Sequence, residues 1–125
     1  MQNDKMQQRK LLIERTRTFA KRVRVFCAEL PVSIANSADT KQLIRSSGSI
    51  GANYLEACEA FSKRDCIARI RISRKEAKET LHWLYLLDAG SKTAIEEEQR
   101  FLLKEADELL AIFSSIILKL TVKSS

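Results

Sequence analysis

The sequence predicts an all-α fold, an up-down antiparallel four-helix bundle, and three observations carry that expectation. Only 3 of the 125 residues are Gly and 1 is Pro. That is too few for the turn every 8–12 residues or so that a β-sandwich or barrel requires. Apolar residues make up 45% of the chain, too many for a disordered segment and enough for one core at this length. Finally, three segments place apolar or small residues at alternating steps of 3 and 4, the seam of helices packed nearly antiparallel.

The elements follow in order, within one domain over 1–125. Helix one is expected over about 5–30, with the seam Leu12, Thr16, Phe19, Val23, Phe26 and Leu30, and with Pro31 forbidding easy continuation. The only long connection, 31–38, leads to helix two over about 39–60. There Asp39 with Gln42 forms a possible cap, and Leu43, Ser47, Ile50, Tyr54, Ala57 and Phe61 form the seam. Ser46, Ser47, Gly48, Ser49, Gly51 and Ala52 crowd into the same helix. Each interior Gly costs roughly 1 kcal/mol against Ala, so the cluster reads as a place where another backbone comes close. A phosphate-cradling loop would need a preceding strand and a following Lys-Ser/Thr pair, and this segment has neither.

Helix three is expected over about 63–88, with a looser seam of Cys66, Ile70, Ser73, Ala77, Leu81 and Leu84. Ser62 with Asp65 resembles a capping box at its start, and Gly90 supplies a left-handed exit. Helix four is expected over about 94–122, with Thr93 and Glu96 as a capping box. Its seam is Leu102, Ala106, Leu109, Phe113, Ile116 and Leu120.

The formal charge of +6 is unevenly spread. Residues 1–75 hold 16 basic and 7 acidic side chains (+9), while residues 76–125 hold 6 basic and 9 acidic (−3). A basic half of this size suits a polyanion or an acidic partner, and charges on long helices also serve solubility. Cys27, Cys58 and Cys66 show no CxxC spacing and fall on or beside apolar stripes, as buried free thiols do. The opening MQNDKMQQRK has no apolar core and does not read as a signal peptide. The most apolar stretch, residues 109–118, is about half of the roughly 20 residues a membrane span needs. A soluble cytoplasmic protein with no membrane partner is expected.

Catalytic chemistry has little to work with. His82 is the only histidine. With Glu79 it makes an E-x-x-H spacing, but helical di-iron sites use two such motifs and two further glutamates. Cysteines in apolar surroundings disfavour the reactive thiolate. Neither an enzyme nor a metal or other cofactor is expected.

The basic residues are better organised. Lys10, Arg17, Lys21 and Arg24 form one helical stripe; Arg64, Arg71, Lys75 and Lys78, with His82, form another. Such stripes attract phosphates through charge and counterion release, largely without reading sequence. The competing account pairs them with glutamates on neighbouring helices. Neither stripe holds a base-stacking aromatic, which argues against sequence readout of single strands. Val25 on helix one, and Ile72, Trp83, Leu86 and Leu87 on helix three, lie away from the main seams. They suggest a self-association interface; a wide core face at the end of the bundle is the alternative.

Nearly the whole chain, most clearly residues 30–87, resembles a bacterial family of four-helix bundle proteins, the 23S ribosomal RNA intervening-sequence proteins. The resemblance rests on Gln42-Leu43-Ile44-Arg45-Ser46, then on Ser49-Ile50-x-Ala52-Asn53-x-x-Glu56-Ala57. Ser62, Asp65, Lys75-Glu76-Ala77, Glu79 and Trp83-Leu84 extend it. Many members have Gly where this chain has Ala57, so any role of that glycine does not carry over.

The resemblance implies a small bundle forming homo-oligomeric rings, typically pentamers, with no associated catalytic site. Some members are encoded within ribosomal RNA genes. A similar protein accompanies the reverse transcriptase of diversity-generating retroelements, where a basic surface contacts nucleic acid and the enzyme. Arg45, Ser49, Asn53 and Glu56, the motif residues, are expected to be structural, held in a polar network between helices. The functional expectation is a non-enzymatic oligomer that binds RNA or DNA backbone. An adaptor for a protein partner such as a reverse transcriptase is the alternative.

Overall fold

The computed structural model describes residues 2–122; Met1 and the last three residues of the expected domain lie outside them. Four helices run up and down: α1 (Gln2–Glu29), α2 (Ile34–Cys58), α3 (Lys63–Leu86) and α4 (Thr93–Val122). Each packs on two neighbours. α1 and α3 both lie against α2 and α4 and stand at opposite corners of the bundle.

The seams enclose the core. Phe19, Val23 and Phe26 of α1 meet Leu43, Ile50 and Tyr54 of α2, with Ile70, Ala77 and Leu84 of α3 and Leu102, Leu109 and Phe113 of α4. The Tyr54 and Phe113 rings pack tilted with centroids 5.8 Å apart, joining α2 to α4 across the middle. Near the end of α4 the buried face moves from Ile116 to Ile117. A straight helix drifts off a strict 3.5-residue repeat in this way.

α2 starts five residues earlier than expected. Ser33, in extended conformation, accepts a hydrogen bond from the Asn36 amide (3.0 Å) and is the N-cap, so Asp39 lies inside the helix. The long connection shrinks to a tight link. Phe61 is also misassigned: α2 ends at Cys58, and Phe61 stands fully exposed in the turn that follows. The seam was extended past the end of its helix.

Ser62 caps α3 by accepting from the Asp65 amide (3.1 Å). α3 ends at Leu86, with Leu87 extended. Gly90 has φ +74°, as its expected left-handed role requires, but it turns the loop rather than the last helical residue. The Glu96 amide donates to the Lys92 carbonyl (3.1 Å), so Thr93 is already inside α4 and does not act as its cap.

The small-residue cluster of α2 serves two contacts. A Cβ on Gly51 would sit 2.8 Å from Thr16 Oγ1 and 3.1 Å from its Cβ. Thr16 is buried and donates its hydroxyl to the Ile13 carbonyl (2.9 Å), so it has little freedom to retreat. Gly48 is different: a Cβ there would only meet the end of the Arg24 side chain at 3.4 Å. Only one of the two glycines is required by close approach. Toward α3, buried Ser46 accepts from Thr80 Oγ1 (2.9 Å), and Ser73 donates to the Ile50 carbonyl (2.9 Å).

Candidate nucleic-acid interface

The Arg–Glu pairs that tie helices together use guanidiniums outside the two basic stripes. Arg15 grips Glu105 with two hydrogen bonds (2.8 and 2.7 Å) and reaches Glu108 (3.3 Å). Two helical turns further on, Arg22 grips Glu98 (2.6 and 2.9 Å) and lies 3.7 Å from the centre of the Phe101 ring. On the other side, Arg45 of α2 holds buried Glu76 and half-buried Glu79 of α3, each at 3.3 Å. Arg22 and Arg45 stay largely exposed, but each of the three guanidiniums reaches across a helix boundary to a glutamate.

The stripe residues point outward. Lys10, Arg17, Lys21 and Arg24 on α1, and Arg64, Arg71, Lys75 and Lys78 on α3, are all exposed. None pairs with a carboxylate on a neighbouring helix. Arg17 reaches Glu14 (3.4 Å) and Lys75 reaches Glu79 (3.9 Å), each within its own helix. Exposed pairs of that kind contribute little, roughly 0–1 kcal/mol. Arg24 donates to its own helix at the Ala20 carbonyl (3.0 Å).

On the α3 side the stripe borders a shallow groove against α4. Arg71, Lys75 and Lys78 line it with Leu110, Ser114 and the edge of Glu79. Arg74 lines it too. The wheel reading missed Arg74 because it sits between the stripe and the seam, half-buried beside α4. Because α1 and α3 occupy opposite corners, the two stripes lie on separate faces of one chain.

The family-motif residues divide. Arg45 joins α2 to α3 as described. Asn53 donates to the Ser49 carbonyl (2.9 Å) and hydroxyl (3.1 Å) and accepts from Arg69 of α3 (3.2 Å). Glu56 does not belong to this network: it is exposed on the outer face of α2 and makes no side-chain bond. It lies on the same helical face as Arg45 and Ser49, near the end of α2, where its carboxylate stays in solvent.

The proposed apolar strip is also divided. Leu87 is only 4% exposed and belongs to the core, because the chain leaves α3 there and folds it inward. Val25, Ile72 and Leu86 are exposed. Val25, on α1, stands at the opposite corner from α3 and cannot share one patch with the other two. Trp83 packs against the core, with its ring edge-on to His82 (4.9 Å), and its buried indole N–H has no acceptor.

Two polar residues that sequence reasoning missed organise one end of the bundle. Buried Asn36 donates to the Pro31 carbonyl (3.0 Å) and the Asp88 carbonyl (2.9 Å), and accepts from the Asp88 amide (3.1 Å). Gln99 donates to the Leu84 and Leu87 carbonyls (2.7 and 2.9 Å), satisfying the free end of α3. The only local signal was the Ser33-x-x-Asn36 spacing; the partners lie far away in sequence.

Glu79 is held by Arg45 and Lys75 rather than placed beside His82 for a metal. Among the described residues no three His, Cys, Asp or Glu side chains are grouped to hold one. Burial pushes the Cys27 thiol up to about 11 and raises that of Cys66, which suppresses thiolate chemistry. Among the described residues no helix is long and apolar enough to cross a membrane.

The 23S rRNA-intervening sequence protein family model matches residues 9–115. The chain is also similar to a solved structure from Bacteroides thetaiotaomicron, described as a protein of unknown function from the S23 ribosomal protein family. The two share 30% identity with a TM-score of 0.71, over 84% of this chain and 96% of that one. No curated protein matches the chain. A match over most of the length, together with four antiparallel helices built on the Arg45–Asn53 motif, places this chain in the 23S rRNA-intervening sequence protein family.

Proposed function

We propose that this protein is a non-enzymatic bundle that binds the phosphate backbone of RNA or DNA through its two basic stripes. One observation carries the reading: the inter-helix ion pairs use Arg15, Arg22 and Arg45, leaving the stripe cations facing solvent without a cross-helix carboxylate. Solubility alone does not require cations to be sorted this way. The ribosomal RNA in the family's description is consistent with a nucleic-acid role.

Fluorescence anisotropy with a structured RNA and a duplex DNA, over a salt series, tests it. Log affinity should fall linearly with log salt, and each neutralised contact should lower the slope by about 1. Changing Arg71, Arg74, Lys75 and Lys78 to Glu should abolish the α3 contribution. Undetectable binding at low salt, or binding indifferent to these changes, overturns the proposal.

Self-association, as a pentamer by family resemblance, belongs to the same proposal, with Ile72, Trp83 and Leu86 as the contact. Repetition of modest contacts around a ring would add as avidity. Light scattering that returns a strict monomer removes this part. The second reading is an adaptor in which the basic face meets an acidic protein such as a reverse transcriptase. Exposed Ile72 and Leu86 beside the cations favour it, and nuclease-resistant capture of one defined protein, with no nucleic-acid binding, would select it.

A further inference from the structure

The two ends of the bundle differ. α1 and α4 are the longer helices, with 28 and 30 residues against 25 and 24 for α2 and α3. At the end where α1 begins and α4 finishes, they reach past the short α2–α3 turn. Between them lies a cavity of about 570 Å³, within the roughly 300–1,000 Å³ of small-molecule sites. Its walls are mostly apolar: Leu12, Ala57, Ile70, Ile112 and Ile116, with Tyr54 below. Among the described residues no carboxylate lines it. Its mouth carries Lys5 and Arg9 from α1 and Lys119 from α4, all exposed and, among the described residues, none paired with an acid. The fourth cation, Arg15, is already held by Glu105 and Glu108.

We infer that this cavity binds a single-chain anionic amphiphile, its hydrocarbon tail among the apolar walls and its carboxylate between Lys5, Arg9 and Lys119. Charge complementarity and shape argue for this occupant together. Three unpartnered cations at the rim of an acid-free apolar pocket offer a headgroup site and a tail site in one line. A bare phosphate would leave the walls wet, and a neutral hydrocarbon would leave the cations without a role. Burial raises the Tyr54 hydroxyl and the Cys66 thiol inside, and the nearby Arg9 charge works against that rise. None of the three rim residues belongs to the stripes proposed for nucleic acid, and the inference stands apart from that reading.

Isothermal titration with monomeric dodecanoate tests it, alongside dodecanol, acetate, inorganic phosphate and phosphatidylglycerol vesicles. Dodecanoate should bind at micromolar concentration, at least tenfold more tightly than dodecanol and a hundredfold more tightly than acetate or phosphate. The triple variant K5E/R9E/K119E, altered only at exposed positions, should weaken dodecanoate tenfold or more and leave dodecanol unchanged. Cys66→Trp should fill the cavity and weaken both, with circular dichroism confirming the fold; if that variant unfolds, the charge variant decides. The inference is overturned if dodecanoate fails to bind or binds no better than dodecanol or phosphate. It is equally overturned if binding ignores the triple variant, or if only vesicles bind.

Discussion

The closed and open ends of this bundle are held by different physics. At the closed end, where α1 meets α2 and α3 meets α4, two side-chain amides satisfy the backbone groups of the connections. Asn36 bridges the two connections through Pro31 and Asp88, Gln99 finishes α3, and Gly90 turns beneath Pro31, whose Cγ would lie 3.0 Å from any added Cβ. At the open end the chain supplies one short turn and the two long helices simply pass it. Leu12, Cys66, Ile112 and Ile116 there are only half-buried, and Arg15 ties α1 to α4 at the surface. A closed end is demanding because a buried polar group without its partner costs more than a satisfied one contributes. An open end tolerates change and leaves room for a ligand.

That contrast can be broken by substitution. Asn36→Leu should be the most damaging, about 3 kcal/mol in urea unfolding, because it strands the Pro31 and Asp88 carbonyls and the Asp88 amide at roughly 1–3 kcal/mol for each buried orphan. Gly90→Ala should cost about 1–2 kcal/mol, since its φ lies in the left-handed region that a Cβ disfavours and Pro31 blocks the added atom. Leu12→Ala, in the half-buried wall of the cavity, should cost only about 1 kcal/mol, below the roughly 2–5 kcal/mol of a fully buried leucine. A Leu12 loss equal to that of Asn36 would mean that both ends are equally packed. Arg15→Ala should be the mildest, at most about 1 kcal/mol and shrinking as salt is added; a salt-independent loss would mark the pair as buried.

Much of the fold was legible because helical seams are local. The first seam, Thr16 through Leu30, is buried throughout, as are Leu43 through Ala57 on α2. The start of α2 was not legible. Ser33 is an ordinary capping residue, but its partner at the third position is Asn rather than Glu or Gln, and Asp39-Gln42 offered a more familiar pattern further on. Phe61 shows the opposite failure, since a regular spacing says nothing about where its helix stops. For the interface, the stripe residues could be placed on outer faces from a wheel alone. Which arginines would be consumed could not, because Arg22 and Glu98, or Arg45 and Glu76, meet only once the helices have packed.

The sequence by itself determined the helices, their antiparallel seams and the excess of outward cations, because a 3.5-residue period and a run of lysines and arginines are properties of neighbouring residues. Tertiary structure alone decided the rest. It put the two stripes on opposite corners, drew Leu87 inward and left Glu56 without a partner, and closed one end around Asn36 while leaving the other open between Arg9 and Lys119. Those outcomes depend on contacts between residues far apart in the chain, whose partners are chosen by how four helices of unequal length come together.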